Sequence, residues 1–252
     1  MRYCFVVPHF NHVDQFSLFL PRLVDINMPI YVVDDGSCGS DLARLRQLVG
    51  EFSNVKLIEL GVNRGKGAAV VLGFNMAAAE GFTHALQIDA DGQHSLDDVE
   101  RLVEASKSSP NAIISGRPVF GPDAPKIRVY GRRVTDIWTA LETLSFQLKD
   151  SLCGFRIYPL NSVARIIDRH HVGPRMEFDT DILVKAVWCQ IPVKFIDTEV
   201  IYVEGGRSHF HYVRDNLRLI RLHIKLIAGM LINAPVLAWN RLARPQRGVG
   251  ND

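Results

Sequence analysis

The chain has 252 residues, a formal net charge of +2 and 47% hydrophobic residues, values that are ordinary for a folded soluble protein. So small a net charge gives no argument for nucleic acid as a partner, although basic residues become more frequent after position 117 and leave an anionic partner open for that half. Four scattered cysteines without CxxC spacing argue against a zinc site and predict reduced thiols in a cytoplasmic setting. The apolar run at the start is too short for a signal peptide, and Pro8 interrupts it.

The first half of the chain alternates short apolar runs with segments of helical spacing. The apolar runs predict strands at 3–7, 30–35, 55–60, 84–89 and 112–116. Helices are predicted around 42–49, in the alanine-rich segment GAAVVLGFNMAAAEGF, and in SLDDVERLVEAS, which Ser95 would cap. This alternation predicts right-handed βαβ units and a mostly parallel sheet that is covered on both faces.

The second half has a different pattern. It predicts helices at 131–148 and 177–190, a short strand at 153–160, and one or two strands within 193–206. The tail that follows begins as a basic amphipathic helix and becomes apolar. We therefore expect one α/β domain over residues 1–212 and a helical tail over residues 213–252.

Polar side chains follow three of the predicted strands, in the segments PHFN, DDGS and DADGQ. In an open α/β sheet the binding crevice lies outside the carboxyl ends of the strands. Asp89 and Asp91 are two residues apart on an extended backbone, so their side chains point the same way, roughly 6.5 Å apart. Together with Gln93 they offer oxygen ligands that suit Mg²⁺ or Mn²⁺. The alternative is a simple turn at Asp91 after a strand that ends with Asp89.

Two further segments suit a nucleotide. In VVDDGS, two acids at the tip of a buried strand, followed by Gly-Ser, suit hydrogen bonds to a base and a ribose. The alternative there is a turn, with Ser37 or Ser40 as a helix N-cap. In NRGKGAAVVLGF, glycines at a helix start suit a phosphate cradled by main-chain N–H groups, although neither P-loop nor dinucleotide spacing is present. Close packing of the helix explains those glycines equally well.

Seven segments in order resemble glycosyltransferase family 2 with the GT-A fold: VVPHFN, VVDDGS, NRGKGAAV, DADGQH, SGR, DSLCGFRIY and EGGRSHF. They are most similar to the polyprenyl-phosphate branch, the dolichyl-phosphate mannose or glucose synthases, over roughly positions 3 to 215. The resemblance implies an inverting, metal-dependent transfer of a sugar from a nucleoside-diphosphate sugar to a lipid-phosphate or lipid-like acceptor, with Mg²⁺ or Mn²⁺ as the cofactor.

The resemblance also implies roles for individual residues. The implied nucleotide-sugar site consists of Pro8, Asn11, Asp34, Asp35, Lys66, Asp89, Asp91, Arg207 and Ser208, with Lys66 near the base or ribose. The implied metal ligands are Asp89, Asp91 and Gln93. The implied acceptor site consists of Arg117, Arg132 and Arg133. The implied catalytic residues are Asp150, Asp179, Asp181 and Arg117.

The need for a catalytic base depends on the acceptor. A phosphate acceptor is already anionic and needs no strong base, whereas a hydroxyl must give its proton to a carboxylate. The segment MEFDTDIL offers Glu177, Asp179 and Asp181 for that task. In a helix Glu177 and Asp181 share a face while Asp179 points elsewhere. A solvated helix start explains the same three acids.

The tail differs from relatives that carry transmembrane helices after the catalytic domain. Its apolar run at 226–239 is broken by Asn233 and Pro235 and falls short of the ~20 residues that a span needs. Basic residues precede that run at helical spacing: Arg214, Arg218, Arg221 and Lys225. This pattern predicts an interfacial helix on an anionic membrane. With a cytoplasmic setting, the expected location is peripheral, on the inner face of the membrane. A helix packed on the catalytic domain or on a second subunit remains the alternative.

Two other functions stay open. One is a non-catalytic module that binds a nucleotide sugar or a lipid on the same fold. The other is a sugar-phosphate nucleotidyltransferase, which has similar sheet and metal chemistry. The segment PHFN stands where that enzyme class has a glycine-rich, arginine-containing loop.

Overall fold

The structure, a computed structural model, describes residues 1–120, 126–199 and 212–243. Within those residues the strands are β1 (Tyr3–His9), β2 (Ile30–Asp34), β3 (Val55–Glu59), β4 (His84–Gln87), β5 (Ile113–Val119), β6 (Arg156–Pro159) and β7 (Val193–Glu199). The helices are α1 (Val13–Val24), α2 (Gly39–Gly50), α3 (Lys66–Ala79), α4 (Asp98–Ser108), α5 (Lys126–Thr143), α6 (Leu160–Arg169), α7 (Phe178–Trp188) and α8 (Tyr212–Ala243).

The strands form one sheet in the order β3-β2-β1-β4-β6-β5-β7. All neighbours are parallel except β6, which runs antiparallel to both β4 and β5. The predicted α/β fold with a mostly parallel sheet is confirmed. Strands β1 and β2 end side by side, with His9 in register with Asp34, and β4 ends on the other side of β1. The loops after these three strands therefore meet at one edge, where the chain order reverses.

The core lies on both faces of this sheet. Alternate side chains of β1 point to opposite faces, Val6 into one apolar cluster and Phe5 into the other. Helices α3, α6, α7 and α8 cover the first face, and α1, α2 and α4 cover the second. Helix α3 lies very close to the sheet, because a Cβ at Gly73 would fall 2.5 Å from Val6 Cγ1. The close packing that could explain the glycine-rich segment is therefore present.

Several predicted boundaries shift in the structure. The helix expected at 131–148 begins and ends five residues earlier, as α5. Ser95 does not cap α4, which begins at Asp98 and has no side-chain cap. Neither Ser37 nor Ser40 caps α2, whose N-cap residue is Cys38. Helix α6 was not predicted. It follows β6 directly, and it forms because Leu160, Val163 and Ile166 bury one helical face.

Helix α8 packs against α5 and α7. It places Leu222, Leu226 and Met230 in the same apolar cluster as α7. The alternative of a helix packed on the α/β domain is therefore realised for this part of the tail. Among the described helices, none combines the length and apolar content that crossing a bilayer requires.

Two neighbouring residues of α8 test this packing. Leu226 is 2% exposed and Ile224 is 63% exposed. We expect Leu226→Ala to lower the free energy of unfolding by about 2–5 kcal/mol, because it leaves a cavity in the core. Ile224→Ala should change it by less than ~0.5 kcal/mol. Urea titration followed by circular dichroism measures both, and equal effects would contradict the packing of α8 on the domain.

Candidate active site

Asp34 joins the loops that follow β1 and β2. Its carboxylate accepts the main-chain N–H of Ser37 at 3.0 Å and lies 3.1 Å from His9 Nδ1. Asn11 completes the junction: its N–H donates to Ser37 Oγ at 2.9 Å, and its Oδ1 accepts the N–H of Cys38 at 2.8 Å. Burial alone would raise the pKa of Asp34, but the hydrogen bonds from His9 and Ser37 outweigh burial and lower it. Asp34 therefore stays ionised as an internal acceptor that shapes both loops.

Asp35 joins the end of β2 to the start of α3. Its carboxylate accepts the main-chain N–H groups of Arg64 at 2.7 Å and Gly65 at 2.9 Å. Burial raises the pKa of Asp35 even though these N–H groups favour the charged form. Lys66 follows Gly65 directly. The hydrogen bonds of Asp35 therefore fix the main chain from which the Lys66 side chain extends.

Lys66 lies between two carboxylates from distant parts of the chain. Its Nζ is 2.8 Å from Asp89 Oδ1 and 2.8 Å from Asp179 Oδ2. Gln87 Nε2 donates to the other oxygen of Asp179 at 2.9 Å. Burial would lower the pKa of Lys66, but the charges of Asp179 and Asp89 more than compensate and hold it above its usual value. The ammonium group is therefore charged and links α3, β4 and α7.

Asp89 and Asp91 lie side by side after β4, both half-buried. Burial would raise the pKa of Asp89, but the charges of Lys66 and His94 outweigh it and lower that pKa. Burial and the charge of Asp89 raise the pKa of Asp91. The predicted turn is also present, since the N–H of Gln93 donates to Asp91 Oδ1 at 3.1 Å. The two carboxylates thus form an acidic pair to which Gln93 contributes its main-chain N–H.

This pair fits a divalent cation. Asp89 Oδ1 is buried and forms an ion pair with Lys66 Nζ at 2.8 Å. No donor among the described residues meets hydrogen-bond geometry at this oxygen. Oxygen donors of this kind suit Mg²⁺ or Mn²⁺. Within the described ranges no three His, Cys, Asp or Glu residues group around a metal position. Among the described residues Asp89 and Asp91 would hold such a cation, and Gln93 stays a predicted third ligand.

Gly154 and Phe155 form one wall of the site. A Cβ at Gly154 would lie 2.8 Å from Lys66 Nζ and 3.0 Å from Asp89 Oδ2, so only glycine leaves room for the ion pair. The ring of His94 stacks on Phe155 with centroids 5.0 Å apart. Burial lowers the pKa of His94, although the charges of Asp89 and Asp91 act in the opposite direction. The ring of His94 is therefore engaged in packing against Phe155.

Arg156 supports the site from beneath, and sequence reasoning missed this role. Its guanidinium is fully buried and donates to the carbonyl oxygens of Asp179 at 2.6 Å and Ser151 at 2.8 Å. Its Nε donates to Ser115 Oγ at 3.0 Å. These bonds hold the first turn of α7 against the sheet, so that Asp179 faces Lys66. The sequence does carry a signal for this role, because Arg156 is a charged residue within the apolar run CGFRIYPL. A charge that is buried with such a strand needs hydrogen-bond partners.

The three acids of MEFDTDIL separate as the helical spacing predicted. Asp181 accepts the N–H of Gly173 at 2.7 Å and pairs with Lys185 at 2.5 Å. Glu177 also faces Gly173, as Asp181 does. It packs so closely there that a Cβ added at Gly173 would fall 2.5 Å from Glu177 Cγ. Asp179 alone of the three contacts Lys66 and Gln87. The geometry therefore brings Asp179 to the acidic pair and directs Asp181 toward the loop before α7.

The structure brings together only some of the predicted acceptor-site and catalytic residues. Asp150 accepts the N–H groups of the turn at 152–153, each at 2.9 Å, and forms an ion pair with Arg132. The charge of Arg132 also acts on His94 beside the acidic pair. Arg117 instead pairs with Asp197 at 2.5 Å, across β5 and β7. Arg133 is exposed on α5.

Three further residues are predicted for the donor site: Pro8, Arg207 and Ser208. Pro8 is partly buried near the end of β1, in register with Val33. Arg207 and Ser208 lie outside the described residues, so their roles stay predictions. The structure thus brings Lys66 and Asp179 to the acidic pair, while Asp34 and Asp35 hold the surrounding loops in place.

The support from Arg156 can be tested by substitution. Arg156→Ala leaves buried carbonyl oxygens without donors, so we expect it to lower the free energy of unfolding by about 3–5 kcal/mol. Arg156→Lys keeps the charge, but its single nitrogen cannot reach the three acceptors that Nε and the two terminal nitrogens of the guanidinium reach separately, so an intermediate loss is expected. Arg165→Ala, at an exposed arginine of α6, is the control. Thermal denaturation measures all three, and a small effect of Arg156→Ala would contradict its structural role.

Comparison with known proteins identifies a family and a shared fold. The model of the family described as glycosyl transferase family 2 matches residues 4–169. A dolichyl-phosphate beta-glucosyltransferase of Dictyostelium discoideum is 25% identical over 221 residues, which cover 80% of this chain. The alignment spans 64% of that relative, just under two thirds of its length. An undecaprenyl-phosphate mannosyltransferase of Micrococcus luteus is 27% identical over 79% of this chain and 86% of its own length.

A solved structure shares the fold. It is glucosyl-3-phosphoglycerate synthase from Mycobacterium tuberculosis in complex with Mn²⁺, uridine diphosphate and phosphoglyceric acid. It aligns with 99% of this chain and 81% of its own length at a TM-score of 0.62. With 18% identity, this likeness concerns the fold alone.

Proposed function

Because the chain belongs to glycosyl transferase family 2, we propose that it is an inverting enzyme that transfers a sugar from a nucleoside-diphosphate sugar to a lipid phosphate. The observation that carries the proposal is the acidic pair Asp89 and Asp91, at the sheet edge where the loops after β1, β2 and β4 meet. Two relatives named above act, by their names, on dolichyl and undecaprenyl phosphates.

The donor is proposed to bind at this sheet edge. Pro8, Asn11, Asp34 and Asp35 would shape the nucleotide end of the site through the loops they hold. Mg²⁺ or Mn²⁺ held by the acidic pair would supply positive charge against the charge that develops on the departing diphosphate. The structural neighbour was solved with Mn²⁺ and uridine diphosphate, which supports a divalent cation and a nucleoside diphosphate as ligands proposed for this chain. Arg207 and Ser208 are proposed to meet the donor phosphates.

The state of Asp179 favours a phosphate acceptor over a hydroxyl. Asp179 is 3% exposed, and its two oxygens are engaged by Lys66 and Gln87. A carboxylate held in this way is poorly placed to take a proton from a hydroxyl. A phosphate acceptor is already anionic and needs no such base, whereas it does need positive charge. Arg132, whose charge acts on His94 beside the acidic pair, is the proposed source of that charge.

Donor binding is the first test of this proposal. We expect nucleoside diphosphate with Mn²⁺ to raise the melting temperature by roughly 5–10 °C at 100 times the Kd, since ligand stabilises the folded state. Asp91→Ala should abolish the part of the shift that depends on Mn²⁺. Thermal-shift measurements with UDP, GDP and dTDP would identify the base by the largest shift.

Asp168→Ala, which removes an exposed aspartate on α6, is the matched control and should leave the shift unchanged. No shift with any nucleotide would contradict the proposed donor site. Binding without transfer of labelled sugar to a polyprenyl phosphate would support the alternative, a non-catalytic nucleotide-sugar-binding module.

A peripheral contact with an anionic membrane is proposed for the exposed side of α8. Leu217, Ile220 and Ile224 follow helical spacing and are 49%, 54% and 63% exposed. Arg221 and Lys225 are exposed beside them. An apolar stripe beside basic residues suits the surface of a membrane that contains anionic lipids, and such a surface is where a lipid-phosphate acceptor would be found.

Vesicle binding tests this contact. We expect the double substitution Ile220→Glu and Ile224→Glu to weaken binding to phosphatidylglycerol vesicles at least ~10-fold, because two apolar side chains are lost and two negative charges are added. Leu18→Glu, at an exposed position of α1 on the other face of the sheet, is the control. Unchanged co-sedimentation of the double variant would contradict the membrane contact. A dimer that the same substitutions dissociate would show that a second copy covers this surface instead.

A further inference from the structure

The ammonium group of Lys66 occupies a position that a metal would compete for. Its Nζ lies 2.8 Å and 3.0 Å from the two oxygens of Asp89, the first residue of the acidic pair. It is also 2.8 Å from Asp179, which Gln87 orients from the other side. The side chain of Lys66 is only 13% exposed, and the close approach of Gly154 confines it there. Lys66 is thus a positive charge built into the acidic site.

A divalent cation on Asp89 would meet this charge at very short range. Two cations that share one carboxylate repel each other strongly in a partly buried site, where water screens charges weakly. Asp179 offers Lys66 a second carboxylate, so the ammonium can stay paired when Asp89 turns toward a metal. A diphosphate brings negative charge to the same place and offsets the repulsion.

We propose that Lys66 is a resident cation that keeps the acidic pair from binding a divalent metal until a nucleoside diphosphate is present. The proposal deepens the proposed function and rests on it for the nucleotide. It assigns Lys66 a positioning and gating role at the metal site, in addition to its predicted place near the base or ribose. Metal and nucleotide then bind together, and the free enzyme does not hold the metal.

Binding of Mn²⁺ to the nucleotide-free protein tests this inference, with the electron paramagnetic resonance signal of free Mn²⁺ as readout. Wild type should bind Mn²⁺ weakly alone and at least ~10-fold more tightly with the nucleoside diphosphate that gives the largest thermal shift. Lys66→Gln should bind Mn²⁺ without nucleotide, ~10- to 100-fold more tightly than wild type. Lys56→Gln, which removes an exposed lysine that pairs with Glu80, should behave as wild type.

A charge-matched variant separates the effect of the Lys66 ammonium group on Mn²⁺ binding from the effect of the net charge of the site. Lys66→Gln combined with Asp179→Asn removes one positive and one negative charge, so the net charge of the site equals that of wild type. It also spares the protein a buried unpaired carboxylate, which protects folding if Lys66→Gln alone is unstable. The proposal predicts nucleotide-independent Mn²⁺ binding in this double variant as well.

Two outcomes would overturn the inference. One is tight Mn²⁺ binding by nucleotide-free wild type, and the other is equally weak binding by wild type and both Lys66 variants. Failure of the proposed function has a different signature. In that case UDP, GDP and dTDP would neither bind nor increase Mn²⁺ binding by wild type, whatever the Lys66 variants do in their absence.

Discussion

The ion pairs of Lys66 with Asp89 and Asp179 are the interaction on which the site depends. They join the start of α3, the loop after β4 and the first turn of α7, three segments separated by 23 and 90 residues along the chain. Paired charges at a largely buried position are tolerated only when their geometry is fixed, because removing one partner leaves an uncompensated charge. The arrangement of this site therefore requires each of the three segments to be held firmly.

The surrounding structure supplies that support from several directions. Asp35 fixes the loop before Lys66, and the absence of a side chain at Gly154 leaves space for the ammonium group. Arg156 holds the main chain at Asp179, while Gln87 orients the carboxylate of that residue. Each contact comes from a different element of the sheet or its loops. These residues therefore hold one ion-pair network in place from several directions.

The exposed surface of the second half is connected to the site through α5. Arg132 of that helix pairs with Asp150, and its charge acts on His94 beside the acidic pair, while Val134 and Ile137 of the same helix are exposed. Helix α8 packs alongside and exposes its own apolar stripe. An acceptor with a charged head and an apolar tail would find basic and apolar side chains on adjacent elements. This proximity makes lipid-phosphate chemistry and membrane contact parts of one proposal.

The sequence by itself determined the alternation of strands and helices, the parallel sheet and the polar strand ends, because apolar periodicity and turn residues are local signals. It also separated Asp179 from Glu177 and Asp181, since helical spacing alone decides which side chains share a face. The partner of Lys66, the burial of Arg156 and the extent of α6 and α8 were decided only by the tertiary structure. Those features depend on which elements meet across the sheet, and contacts between residues far apart in the chain leave no periodic pattern in it.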